Sequence, residues 1–263
     1  MAATLLRELV YKDIARTSAL PRLEKAKFTG DGPEVELLKS EEDIARAFMT
    51  ETEAMRNDPL SKYIFDPPDT QKSWRHDVYM RVLRMREAAL LKHRAQLDQV
   101  LQVYHGDAIA VFIPPADANG PPKPSGPWLI RFLSPLAILT SSPQQRRRIK
   151  EVESKLIAAE NEHLGDKKDE LFLLGLLVTH PAYQGRGYGS ALVKALAWMA
   201  DAAERPTWLI SSNVINKEFY ESFGYKSVAD IVIGDEDPDY DDEPFVISLM
   251  IRQPEKVFPV DEK

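Results

Sequence analysis

The sequence predicts an α/β fold, a mixed sheet with helices packed on it, and three features carry that expectation. The run Leu171 to Val178 is almost wholly apolar, as a strand buried on both faces requires. From about Gly189 to Glu204 apolar residues return at helical spacing, set off from that strand by a glycine-rich turn. The pattern then continues through strand Thr207 to Ser211, short helix Lys217 to Phe223 closed by Gly224, and strands at about Lys226 to Ile233 and Phe245 to Ile251. Such an alternation places helices over a sheet.

The first half supplies the rest of the layers. Residues 1–33, punctuated by Pro21 and Gly30-Asp31-Gly32-Pro33, read as an N-terminal extension, and 34–263 as one domain. Glu34 to Lys39 alternates enough for a short strand. Ser40 followed by Glu41, Glu42 and Asp43 opens a helix to about Met55, with a serine cap and acids that suit the helix dipole. Asn57-Asp58-Pro59 and Asp66-Pro67-Pro68-Asp69 read as turns. Between Trp74 and Gln96, residues Trp74, Val78, Val82, Met85 and Ala89 form one face of an amphipathic helix. Strands Gln99 to Tyr104 and Ala108 to Ile113 flank a hairpin turn at His105-Gly106-Asp107. Pro114 to Pro127 is a Pro/Gly-rich loop, and helices follow at Trp128 to Leu139 and Gln144 to His163.

Composition narrows the function. With 263 residues, 44% hydrophobic and 29% charged, the chain has the balance of a soluble globular protein. It has no cysteine, so thiolate nucleophiles and cysteine metal sites are excluded. No stretch approaches the ~20 apolar residues that cross a bilayer, and cytoplasm, with the nucleus as an alternative, is the expected location. A mitochondrial presequence within Met1 to Lys27 stays open as a third. The net charge of -7 argues against a nucleic-acid partner. The basic run Arg146-Arg147-Arg148 with Lys150 reads as a solvated helix face.

The most informative segment is Gln184-Gly185-Arg186-Gly187-Tyr188-Gly189-Ser190, between the buried strand and its following helix. Alternating glycines let the backbone turn sharply and approach a ligand closely. Amides at such a turn have no helical partner, and with the helix dipole behind them they suit a phosphate or pyrophosphate, to which Arg186 adds charge. The spacing G-x-G-x-G matches neither the dinucleotide fingerprint nor a P-loop, which needs a lysine before Ser190.

The run Leu176 to Leu192 closely resembles the acetyl-CoA signature of the GNAT acetyltransferases, whose Q/R-x-x-G-x-G/A pattern is met by Gln184, Gly187 and Gly189. A second segment, Asn213 to Tyr225, is similar to that family's N-x-x-x-x-x-F/L-Y-E-x-x-G-F stretch, differing only in its last aromatic. The resemblance implies a GNAT fold: a central mixed, mostly antiparallel sheet, splayed between its fourth and fifth strands and flanked by helices. It implies acetyl-CoA as co-substrate, with no metal. Leu176, Leu177 and Val178 would meet the pantetheine arm through their backbone, and Gln184 to Ser190 the pyrophosphate. Asn213 would contact the cofactor or tether the strand ends, and Asn216 and Lys217 would lie near its phosphates. Tyr220 would be the general acid for the departing thiolate. More loosely, Asp58-Pro59 to Pro68, the long helix after Trp74, the strand pair ending at Ile113-Pro114-Pro115 and the helix ending Ala158 to His163 resemble the branch that includes puromycin N-acetyltransferase.

The expected reaction is direct transfer in a ternary complex, since no cysteine is available for an acyl-enzyme. The base that deprotonates the amine is left among Glu170, Glu162, His163 and a water relay; His180, before Pro181, reads as a turn former. The acidic stretch Gly234 to Glu243, within a hairpin loop at 234–244, reads either as a solvated loop or as a lure for a cationic acceptor such as a polyamine. The leading expectation is N-acetylation of the primary amine of a small molecule such as a xenobiotic or antibiotic. Alternatives are acetylation of a protein N-terminus or lysine, and a non-catalytic acyl-CoA-binding module. The chain is expected to act as a monomer or homodimer, without a membrane partner.

Overall fold

The computed structural model describes residues 32–71, 73–116 and 128–256, so most of the expected extension and residues 117–127 of the Pro/Gly-rich loop lie outside it. In chain order the elements are β1 (Glu36–Leu37), α1 (Glu41–Ala54), α2 (Pro59–Phe65), α3 (Trp74–Gln96), β2 (Val100–Val103) and β3 (Ala108–Ile113). There follow α4 (Trp128–Thr140), α5 (Pro143–His163), β4 (Phe172–Thr179), α6 (Tyr188–Ala202), β5 (Thr207–Ser211), α7 (Lys217–Glu221), β6 (Lys226–Ile233) and β7 (Phe245–Arg252). The strands form one seven-stranded sheet in the order β1-β2-β3-β4-β5-β7-β6. Pairing is antiparallel throughout except between β4 and β5, which are parallel.

Side-chain alternation along the strands assigns each face its layer. On β3, Ile109 and Val111 join Leu38, Leu60, Val152, Leu156 and Trp208 in the core beneath α1, α2 and α5. Ala108, Ala110 and Phe112 point the other way, into the core with Leu192, Leu196 and Met199 of α6. The alternation slips once on β4. Val111 pairs with Leu176 but Phe112 with Leu174, so Gly175 is an extra residue, a β-bulge. Because of it Leu173 and Leu176, an odd number of residues apart, both enter the first core, whereas strict alternation would send them to opposite faces.

The helix starts follow local chemistry. Ser40 accepts from Asp43 N and caps α1, and Ser142 with Gln145 forms a full capping box on α5. The hairpin turn takes Tyr104, His105 and Gly106 through positive φ. At Gly106 a Cβ would lie 2.8 Å from the Ala47 nitrogen, so only glycine lets α1 pack this close. Thr50 Oγ1 then donates to the Gly106 carbonyl at 2.7 Å and fixes α1 over the sheet.

Two expectations change. Asp58-Pro59 is no mere turn: Asp58 caps α2, with Pro59 at the first helical position. The expected apolar face of α3 is displaced, since Trp74 and Met85 are 70% and 55% exposed. The helix instead buries Tyr79, Val82, Leu83, Leu90 and Leu91 together with the ion-paired Arg86 and Glu87, and a stripe that includes a charge pair does not read as apolar periodicity.

Candidate active site

Strands β4 and β5 separate part-way along their length. The last pair is Leu174 with Leu209, yet β4 continues to Thr179 and β5 to Ser211. From Gly175 onward the edge of β4 that faces β5 therefore has no strand partner, and its backbone polar groups are open to an extended ligand. The bulge at Gly175 sits where the strands part. A cleft of about 550 Å³ fills the opening, lined by Leu176, Leu177, Val178 and Thr179 on one side and Ile210, Ser211, Ser212 and Asn213 on the other.

The glycine turn closes the β4 end of this cleft. His180 Nδ1 accepts from Ala182 N at 3.2 Å, and Gln184 Nε2 donates to the Thr179 carbonyl at 3.3 Å, so both side chains build the turn. Gly185 and Gly187 have φ of +77° and +79°, and Gly187 serves as the N-cap of α6. A Cβ at either would meet nothing within 4 Å. Backbone conformation, not crowding, therefore selects glycine at both positions. Among the described residues no acceptor receives a hydrogen bond from the amides of Gly185 through Ser190; the first inward bond is Ala191 N to the Gly187 carbonyl, 3.0 Å. Consecutive unpaired donors at the start of a helix of this length form an anion cradle. Gln184, Gly185 and Gly189 line the cleft. Arg186, Gly187, Tyr188 and Ser190 are in the same turn but do not: the Arg186 guanidinium lies over the Tyr183 ring at 5.1 Å, and Tyr188 packs against Tyr104 at 5.1 Å.

The opposite wall brings together the second group of expected residues. Asn213, Asn216 and Tyr220 line the cleft. Asn213 Oδ1 accepts from Ile215 N at 3.0 Å, which shapes the bend out of β5. Tyr220 is 9% exposed and its ring sits edge-on to Phe219 and Tyr225, at 5.2 Å and 5.9 Å. Burial pushes the Tyr225 phenol up to about 12, so this neighbour stays neutral and adds no charge beside Tyr220. Lys217 is drawn elsewhere. Its ammonium pairs with Asp230 at 3.1 Å, a carboxyl held below its usual range by hydrogen bonds from Ser248 foremost, then Ser227 and Lys217.

Sequence reasoning missed Asp58. It lines the cleft and, among the described residues that do so, is the only carboxylate. Its Oδ1 accepts from Ser61 N at 2.9 Å, capping α2, while Oδ2 accepts from Ser212 Oγ at 2.6 Å, across the mouth of the opening. The signal was present: an aspartate followed at once by proline is a helix-start pattern, and a cap fixes where its carboxylate points.

The expected bases fall away from the site. Glu170 precedes β4 at the end opposite the glycine turn and pairs with Arg205 at 3.7 Å, 61% exposed. Glu162 and His163 are exposed at the end of α5. None of the three lines the cleft.

The acidic loop is likewise turned away from the cleft, and the basic run of α5 is its partner. Arg148, 3% exposed, donates from Nε to Asp237 Oδ2 at 2.6 Å and from Nη1 to the Tyr63 carbonyl at 2.8 Å. Arg147 pairs with Asp239, Lys155 pairs with Asp235, and Glu151 Oε1 accepts from Gly234 N at 2.8 Å. The solvated-face reading holds for Arg146, Arg147 and Lys150, which are exposed, and fails at Arg148, which is buried against Asp237; the loop's acids do not line the cleft. Helix α5 and the loop neutralise one another, because burying Arg148 or Asp237 singly would leave an uncompensated charge.

Residues 152–227 match the family model of the acetyltransferase (GNAT) domain. Similar solved structures include histone acetyltransferase HPA2 and related acetyltransferase from Corynebacterium glutamicum, at 18% identity and TM-score 0.51, covering 87% of this chain and 99% of that one. Arylalkylamine N-acetyltransferase 2 from Aedes aegypti is 12% identical with TM-score 0.52, over 84% and 98%. A mosquito arylalkylamine N-acetyltransferase like 5b is 11% identical with TM-score 0.50, over 83% and 98%. Over residues 152–227 the chain is similar to a GNAT acetyltransferase domain, and its sheet, with the parallel β4–β5 pair that opens, has the GNAT fold.

Proposed function

We propose that this protein transfers an acetyl group from acetyl-CoA directly to the primary amine of a small molecule. The observation that carries the reading is a single cleft with an anion cradle at one end and Tyr220 and Asp58 on its far wall. Acetyl-CoA supplies an activated acyl group on a thiolate that can leave. The chain's residues fit it: unpaired amides from Gly185 to Ser190 suit a diphosphate, with Arg186 beside them, and the free edge of β4 at Leu176 to Val178 suits an amide-bearing arm.

Three groups then divide the work on the acceptor. Asp58, held in place by Ser212 and by the start of α2, attracts the ammonium form of the amine and takes up the first proton its nitrogen sheds; the second, shed as the amide forms, replaces the proton that Tyr220 gives to sulfur. Tyr220 donates its phenolic proton where negative charge develops on sulfur, a role suited to a group that is protonated at neutral pH. Asn213 holds the bend that presents both to the opening. A small amine is favoured over a peptide because the end of α1 and the turn after it, through Ala54, Met55 and Asn57, wall the acceptor side. The arylalkylamine N-acetyltransferases among the similar structures and the resemblance to the puromycin branch lean the same way. We place the domain at 34–263, with 1–33 as an extension.

The test is thiol release from acetyl-CoA by the purified chain against matched panels of small primary amines and of peptides with free N-termini or lysines. Turnover with small amines supports the reading. Turnover with peptides alone transfers it to protein acetylation, and binding without turnover makes the chain a sensor.

A further inference from the structure

A second cavity, about 250 Å³, lies among α3, α4 and α5; Tyr79, Leu83, Ala137, Ile138 and Ile149 give it apolar surface, and Arg86, Ser141, Arg146, Lys150 and Glu153 also line it. It shares no lining residue with the cleft of the active site. Two observations mark it as a place for a ligand. Tyr79, 2% exposed, has a buried phenolic oxygen with no hydrogen-bond partner among the described residues. Buried hydroxyls are nearly always paired. Glu153, at the same cavity, has no ion-pair or hydrogen-bond partner among the described residues, and burial raises its pKa. An unpaired phenol and an unpaired carboxyl thus face one apolar space.

We infer that this cavity binds a small neutral molecule, a ring or short branched chain bearing one hydroxyl or carbonyl group that pairs with Tyr79. The volume sets the size, since about 250 Å³ admits one ring with a short substituent. Leu83, Ala137, Ile138 and Ile149 favour an apolar body, while two of the cations at the cavity are already engaged, Arg86 by Glu87 and Arg146 by the Ser141 carbonyl. Burial also raises the Tyr79 pKa far above the usual phenol range, so its hydroxyl is a permanent donor as well as an acceptor. Its ring contacts Phe65, the last residue of α2, at 6.2 Å, while Asp58 at the start of α2 lines the active cleft.

The experiment titrates p-cresol, with toluene as the control that lacks a polar group, into the full chain saturated with coenzyme A, followed by protein-observed NMR. Saturable p-cresol shifts on α3, α4 and α5 with coenzyme A retained are expected. Tyr79→Phe should weaken p-cresol roughly tenfold, the loss of one buried hydrogen bond, and leave toluene unchanged. Ile138→Trp, at a residue 55% exposed and so tolerant of change, should block both probes at the mouth. No saturable shift, equal binding of p-cresol by the wild type and Tyr79→Phe, or displacement of p-cresol by coenzyme A would overturn the inference. Coenzyme A binding, read in the same samples, reports separately on the proposed activity.

Discussion

Replacing Arg148 with methionine keeps the stem of the side chain and removes its charge from a site where the guanidinium is 4% and its Asp237 partner 2% exposed. Removing one member of a buried pair costs ~3–5 kcal/mol, because the remaining charge stays out of water. Arg148 also donates to the Tyr63 carbonyl at 2.8 Å and lies over the Tyr63 and Tyr240 rings at 4.6 Å and 5.2 Å. Working against that sum, the Arg147 Nη2 is 4.0 Å from Asp237 Oδ1 and can move toward it. We therefore place Arg148→Met near the low end, ~3 kcal/mol, or a fall in Tm on the order of 10 °C for a chain of this size. Circular dichroism melts at neutral pH measure it, together with Asp237→Asn and the double variant. The double variant should recover much of the loss, since it leaves neither charge buried alone. A single-variant cost under about 1 kcal/mol, or costs that simply add, would refute the latch between α5 and the acidic loop.

Further outcomes follow from the same geometry. Burial pushes the Asp237 carboxyl up, but the Arg148 hydrogen bond, the Asp239 amide and the guanidinium charge outweigh it, leaving the pKa below its usual value. A depressed folded-state pKa gives stability that is complete above the unfolded value, roughly 4, and is lost as pH falls through the folded one; acid melts of the wild type should show this loss and Asp237→Asn should lack it. Tyr220→Phe should lower kcat by ~100-fold or more in the thiol-release assay while the Kd for coenzyme A holds, and an unchanged kcat removes Tyr220 from the chemistry. Asp58→Asn keeps a good N-cap, so Tm should hold while kcat/KM for a cationic amine falls by about tenfold or more; a loss confined to Tm makes Asp58 structural. Gly187→Ala forces a side chain into φ of +79° with no clash nearby, so coenzyme A should bind more weakly by about 1–2 kcal/mol in calorimetry, and an unaltered Kd denies the turn its role.

How far the sequence could be read depends on how local each signal is. The glycine turn and the strand and helix around it were legible because conformational freedom and unpaired amides are properties of adjacent residues, Gln184 to Ser190. Strands β5 and β6 span the ranges expected of them, Thr207–Ser211 and Lys226–Ile233. Resemblance to a family, not periodicity, supplied the opening between β4 and β5, since where pairing stops depends on the bulge at Gly175 and on β3. The failures share one cause: partners far apart in sequence. Arg148 reads as solvated until Asp237 is brought to it, and Asp58 reads as a turn until Ser212 arrives from the far end of β5. The expected bases were chosen for closeness to β4 along the chain, but Glu170 lies before the first residue of β4 that pairs with β5, and neither it nor His163 lines the cleft.

The most direct measurement of the central claim is a calorimetric titration of the purified chain with coenzyme A and, separately, with pantetheine, which has the same arm but no diphosphate. Coenzyme A is expected to bind saturably and far more tightly than pantetheine, with Gly187→Ala narrowing the gap. Absence of heat from coenzyme A, or equal binding of the two, would contradict a diphosphate held by the amides of Gly185 to Ser190.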